Sequence, residues 1–187
     1  MEQQPATPPP PAQASIFATL VYLMRDLFLA VIIAFVIIFF IYQPVRVEGT
    51  SMMPALRDQE RIFVNIFSYR LGISSIERGD TVVFRFPQDP SKHYIKRVIG
   101  VPGDTVEVTG GVVVLNGKRQ AEEYVPDEYR DNQNLALTKI GPAQYFVMGD
   151  HRTSSNDSRA WGPVEREFIY GKAVFVYWPL DKLGVLR

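Results

Sequence analysis

The chain changes character once along its length. The run Leu27–Tyr42 contains sixteen consecutive residues with no charge, proline or glycine. The stretch Ile16–Met24 upstream is also apolar, and the Arg25–Asp26 pair separates the two. A buried core helix would carry a polar stripe, and this run has none. A cleaved leader would end in small residues at a processing site, whereas this run ends Ile-Tyr-Gln-Pro-Val-Arg. The pattern predicts one membrane-spanning helix, slightly short of the ~20 residues of a full span and completed by its flanks. Ahead of it, Met1–Ser15 is rich in Pro, Gln and Ala and poor in large apolar side chains. Such a segment cannot bury enough surface to offset its ordering entropy, so a disordered tail is expected. The expected division is a tail over 1–16, an anchor region over 17–43 and a folded domain over 44–187.

Within the domain the pattern is that of strands. Arg61–Asn65, Thr81–Phe86, Tyr94–Val101, Thr105–Thr109, Val112–Gly117, Gln144–Gly149 and Ala173–Trp178 are rich in β-branched and aromatic residues. Most are bounded by Gly, Pro, Asp or Asn. Thr109-Gly110-Gly111-Val112 and Asn116–Gly117 read as hairpin turns. Helical periodicity is weak, so the fold class is mainly β: an antiparallel β-sheet domain tethered by one N-terminal helix. Ala121–Gly141 is polar and irregular, and reads as a long surface loop.

Composition narrows the chemistry. There is no cysteine, which excludes a thiol nucleophile, disulfides, iron–sulfur clusters and cysteine-bound zinc. Two histidines, His93 and His151, are too few for a histidine-rich metal centre, and no metal or cofactor is expected. Twenty Lys plus Arg balance twenty Asp plus Glu, so no net field argues for a nucleic-acid partner.

Three segments carry candidate chemistry. In Val47-Glu48-Gly49-Thr50-Ser51-Met52-Met53-Pro54, a serine follows a glycine that permits close backbone approach, although serines in turns are common. In Tyr94-Ile95-Lys96-Arg97-Val98-Ile99, a lysine stands inside an apolar strand. It is either protection on an edge strand or a desolvated general base. The segment Gly149-Asp150-His151-Arg152-Thr153-Ser154-Ser155-Asn156-Asp157-Ser158-Arg159 packs acids, hydroxyls and arginines into a loop after a strand. Ser51 with His151 or His93 would make a conventional triad, but the G-x-S-x-G context is missing.

Together these segments, in this order and behind a membrane anchor, resemble bacterial type I signal peptidase. The resemblance covers the anchor and essentially the whole domain. It implies a membrane-bound serine endopeptidase that removes signal peptides from exported preproteins after small residues. Ser51 would be the nucleophile, Lys96 the general base, and the Ser155 hydroxyl would orient the lysine. Val47, Met52, Leu56 and Ile95 would line the pocket for the last residue before the cut. Arg97 with Asp150, and Asp157 with Arg159, would be structural ion pairs. Some members place a second serine two residues before the nucleophile. Here that position is Gly49, so the oxyanion hole is expected to use backbone amides, of Ser51 and Gly49. Implied partners are signal-peptide-bearing preproteins and the lipid bilayer, with room for the export machinery. The implied location is a bacterial plasma membrane, single-pass, with a cytoplasmic N-terminus and an exoplasmic catalytic domain. Nine positions separate Tyr42 from Ser51, a reach of at most ~30 Å, which keeps the nucleophile near the bilayer. A self-cleaving Ser–Lys repressor would instead need a DNA-binding module where the apolar run stands. A catalytically dead, membrane-tethered binding protein would have lost Ser51 or Lys96, and both are present.

Overall fold

The computed structural model describes residues 16–70 and 74–186. The tail expected over Met1–Ser15 lies outside them. The chain divides into an N-terminal unit ending at Phe39 and a second unit from Phe40 onward. The first is the helix α1, Ile16–Ile41, whose last residues pass into the second unit. It is long and apolar enough to cross a membrane over Ile16–Ile37. Its one charged pair is self-neutralising, with Arg25 and Asp26 2.8 Å apart.

The second unit is built from antiparallel ladders. Its strands are β1 (Tyr42–Arg46), β2 (Arg61–Asn65), β3 (Thr81–Phe86), β4 (Asp89–Gly100), β5 (Thr105–Thr109), β6 (Val112–Leu115), β7 (Lys118–Arg119), β8 (Leu135–Lys139), β9 (Gln144–Met148), β10 (Val164–Glu165), β11 (Ile169–Trp178) and β12 (Gly184–Val185). The larger sheet runs β1-β2-β11-β3-β4-β9-β10, with β12 added to β11, and the smaller runs β7-β6-β5-β8. Both expected hairpin turns are present, joining β5 to β6 and β6 to β7. Strands β4 and β11 are longer than their apolar runs.

β3 shows why the larger sheet is stable. Val83 packs with Ile62, Val64, Ala173 and Val176 on one face. Val82 and Phe84 pack with Val98, Val147, Val164 and Ile169 on the other. A strand buried on both faces reads as a continuous apolar run, as Thr81–Phe86 does. A third cluster, around Val106, Val113, Ile140, Phe146 and Met148, fixes the smaller sheet to β9. The larger sheet is strongly curled. β1 and β4 are separated by three strands in its order, yet residues of both line one cleft. Register shifts in β11 against β2 and β3 supply part of that bend.

Candidate active site

Between β1 and β2 the chain makes an excursion that carries Ser51. Its base is closed by Val47 N–H to Glu60 C=O (2.8 Å) and Gln59 N–H to Val47 C=O (2.9 Å). Val47, Met52 and Leu56 are buried in the cluster beneath it, so the turn is held by its own apolar side chains. Gly49 sits at φ +93°, a left-handed conformation that a residue with a Cβ resists.

Lys96 comes from β4, in register with Val82 of β3. Its Nζ lies 2.7 Å from Ser51 Oγ and 3.1 Å from the Ile95 carbonyl. The side chain is almost wholly enclosed, with 4% exposure. Burial drives its pKa down to about 8, against the opposing charges of Asp157 and Asp150. An amine at that value is partly neutral near physiological pH, and a neutral amine accepts a proton from a hydroxyl.

The loop after β9 closes the site from the other side. His151 N–H donates to the Ser51 carbonyl (3.0 Å), and its ring Nδ1 lies 3.3 Å from the Thr50 carbonyl. Gly149 lies so close that an added Cβ would meet Ser155 Oγ at 2.3 Å and the Ser51 carbonyl at 2.5 Å. Glycine at 149 is therefore a packing requirement of the turn that carries Ser51. Arg97 grips Asp150 through two bonds, of 2.8 and 2.7 Å. Arg159 binds Asp157 at 2.8 Å and also pairs with Asp131. Burial acts to raise the Asp157 pKa, but the bonded Arg159 outweighs it and holds the carboxyl below its usual value.

Ser51, Lys96, Val47, Met52 and Ile95 line one cleft of about 420 Å³, together with Val45, Val83, His93 and Asn156. Three sequence expectations need correction. Leu56 does not line the cleft: at 0% exposure it is a core residue beneath the turn. The Gly49 N–H is not an open oxyanion donor, because it already donates to the Asp58 carboxylate at 2.8 Å. The Ser51 N–H has no acceptor among the described residues. The Ser155 hydroxyl does not bond Lys96: its buried Oγ makes no hydrogen bond of normal length and lies near enough to the Asp157 carboxylate to help hold that group's pKa down, while the lysine bonds Ser51 and the Ile95 carbonyl.

Sequence reasoning missed a second layer of carboxylates. Arg152, 1% exposed, is held by Glu122 in a bidentate pair of 2.9 and 2.5 Å. Tyr124 stacks its ring on the Arg97 guanidinium, 4.5 Å away. The segment read as a surface loop is thus pinned to the loop that packs behind Ser51. Charge counting held a signal: the two segments that carry Arg97, Arg152 and Arg159, residues 94–99 and 149–159, contain only two acids, Asp150 and Asp157, so a third guanidinium in them needs an acid from elsewhere.

The chain is similar in sequence to proteins of one family. The sequence model of the family described as signal peptidase, peptidase S26, matches residues 20–178. Signal peptidase IB of Staphylococcus aureus is 37% identical over 174 residues, covering 82% of this chain and 89% of its own. Signal peptidase I P of Bacillus subtilis subsp. natto is 38% identical over 169 residues, covering 86% and 90%. A solved structure of a signal peptidase I from Enterococcus faecalis V583 has 30% identity and a TM-score of 0.46, covering 53% of this chain and 97% of that one.

Proposed function

Because the chain belongs to the signal peptidase family, peptidase S26, we propose that it is a membrane-anchored serine endopeptidase that cleaves signal peptides from exported preproteins with a Ser51–Lys96 dyad. The observation that carries the reading is the 2.7 Å approach of an enclosed lysine amine to a serine hydroxyl.

The reaction follows from those two groups. Neutral Lys96 accepts the Ser51 proton as Oγ attacks the scissile carbonyl. The oxyanion that forms is met by the Ser51 N–H. The Lys96 ammonium returns its proton to the leaving amine, and an ester to Ser51 remains. Lys96 then takes a proton from the water that attacks this ester and returns it to Ser51 Oγ as the acyl–oxygen bond breaks, which releases the new carboxylate and restores both groups. Neither histidine takes part in proton transfer.

Substrate choice has a strand-edge basis. β1 has β2 as its one neighbour, and β4 pairs with β9 only from Arg97 onward. Two strand edges without a neighbour therefore border the cleft. An extended peptide laid between them presents alternate side chains to the same wall. Val47, Met52, Ile95 and Val83 make that wall apolar near Ser51, which favours small side chains at the last and third-last positions before the cut. The helix α1 anchors the chain, single-pass, with its N-terminus cytoplasmic and the catalytic unit on the exoplasmic side.

The direct test is to incubate the detergent-solubilised full chain with a preprotein and sequence the new N-terminus. Cleavage after an A-x-A site supports the reading, and an intact preprotein removes it. The rate–pH profile is a further test. The reactive lysine is the neutral form, so activity should rise with pH through an apparent pKa of about 8 and level off above it. A profile that is flat from pH 6 to 10 would exclude lysine as the base. The same shift has a stability consequence of fixed sign. The folded pKa lies below the unfolded one, so burial of the charged lysine begins to cost stability as pH falls through the unfolded value. The cost is complete below the folded value. Lys96→Met should accordingly melt above the parent at pH 7.

A further inference from the structure

The cleft does not end at the apolar wall. A second cavity of about 610 Å³ adjoins it, lined by Gln43, Pro44, Val45, Ile66, Arg85, His93 and Tyr170. Val45 and His93 line both, so the two cavities are successive stretches of one groove. Three elements walk along it in steps of two residues. On the β1 side the steps are Val47, Val45 and Gln43. On β4 they are Ile95 and His93. On β3 they are Val83 and Arg85, which are the cross-strand partners of Ile95 and His93. Each changes from aliphatic beside Ser51 to polar farther along: β4 at His93 and β3 at Arg85, which are cross-strand partners, and the β1 side at Gln43, one step beyond Val45.

The polar stretch is uncommitted. The side chains of Arg85, His93 and Gln43 make no hydrogen bond or ion pair with any described residue. The His93 ring is held edge-on against Tyr170, with centroids 5.5 Å apart. No carboxylate lines this cavity, so the Arg85 charge faces it unneutralised. A guanidinium in a concave, partly apolar wall is a carboxylate-binding group.

A strand-like peptide advances by the same two-residue step as these walls. With the last and third-last residues before the cut in the apolar stretch, the next side chain on that face belongs to the fifth-last residue. We propose that this second cavity is a recognition subsite for the fifth residue before the scissile bond, and that Arg85, with Gln43 and His93 beside it, selects an acidic side chain there over a basic one. The proposal rests on the signal-peptidase reading above and adds to it a determinant of which preproteins are cut fastest.

The test uses the full chain in detergent and a set of peptides with alanine at the last and third-last positions. The fifth-last position is Asp, Ala or Lys. Arg85 is exposed and makes no contact that the fold depends on, so its variants should fold. The parent should cleave the Asp peptide with kcat/KM about fivefold above the Lys peptide, in line with one partly screened charge pair. Arg85→Ala should flatten the series and Arg85→Glu should invert it, each read as the ratio of kcat/KM between the Asp and Lys peptides within one variant. Raising the salt concentration should compress the parent's preference. Equal rates for all three peptides in the parent, or a preference that survives Arg85→Glu, would overturn the subsite while leaving the signal-peptidase reading in place. If the parent cleaves none of the peptides, both fall.

Discussion

Ser51→Ala and Lys96→Ala should each lower preprotein cleavage by about 10⁴-fold or more, with the fold retained. Among the described residues Ser51 is the one hydroxyl bonded to the enclosed amine, and a serine without a base is a weak nucleophile. Removing either partner disables the same step, so the effects should not multiply. The double variant should be little worse than either single one. Any residual rate should come from the Ser51 N–H and from peptide binding along the strand edges. His151→Ala and His93→Ala are the contrasting variants. His151 reaches the nucleophile turn through its own backbone N–H, which alanine retains, and its ring touches a carbonyl rather than Ser51 Oγ. Both variants should keep most of the turnover. Clear turnover by folded Ser51→Ala would end the Ser–Lys assignment, and total loss in a folded histidine variant would redirect it to a triad.

Glu122→Ala should be the most damaging single change outside the dyad. It leaves the Arg152 guanidinium buried without its carboxylate. Breaking one side of a buried pair typically costs about 3–5 kcal/mol, or roughly 10–15 °C in the thermal midpoint of a domain this size. The exposed pair Arg130–Asp127 is the internal control. Its carboxylate is fully solvated, at 102% side-chain exposure, so Asp127→Ala should hardly move the midpoint. Replacing both partners, as Glu122→Leu with Arg152→Met, should recover much of the loss, because no unpaired charge is then left in the interior. A Glu122→Ala midpoint within about 2 °C of the parent would mean that water reaches Arg152 and that the segment is not a structural strut.

The strands and hairpins of the domain were legible because β-branched runs bounded by turn residues have few alternative structures. The anchor was legible because sixteen uncharged residues have few alternative environments. β1 was not, for two reasons. It follows the apolar run without a break, and it contains Pro44, which argues against a strand unless that strand lies at an edge, as this one does. β8 was hidden because it is half-exposed along its length and shows no alternation. At the site, residue types left Ser51 and Lys96 each with an ordinary alternative, and only the resemblance carried by all the segments joined them, although they lie 45 positions apart. The Gly49 amide could not be read the same way. Its acceptor, Asp58, lies nine positions downstream, and no spacing rule joins them. Leu56 was misplaced because a turn that carries a nucleophile also needs an apolar foot, and sequence does not tell foot from pocket wall.

The arginine pairs have a dynamic consequence. Arg97 ties β4 to Asp150, Arg152 ties the loop after β9 to Glu122, and Arg159 ties the same loop to Asp131. Each pair bridges two stretches of chain, so neither stretch can open without stranding charges on the other. Loops commonly exchange their amide hydrogens through small local openings that cost far less than global unfolding. The backbone around Glu122 and Asp131 is therefore expected to open together with residues 149–159 rather than by itself. Two segments that look like surface loops should behave as one cooperative unit, which amide exchange compared between the parent and Glu122→Ala would show.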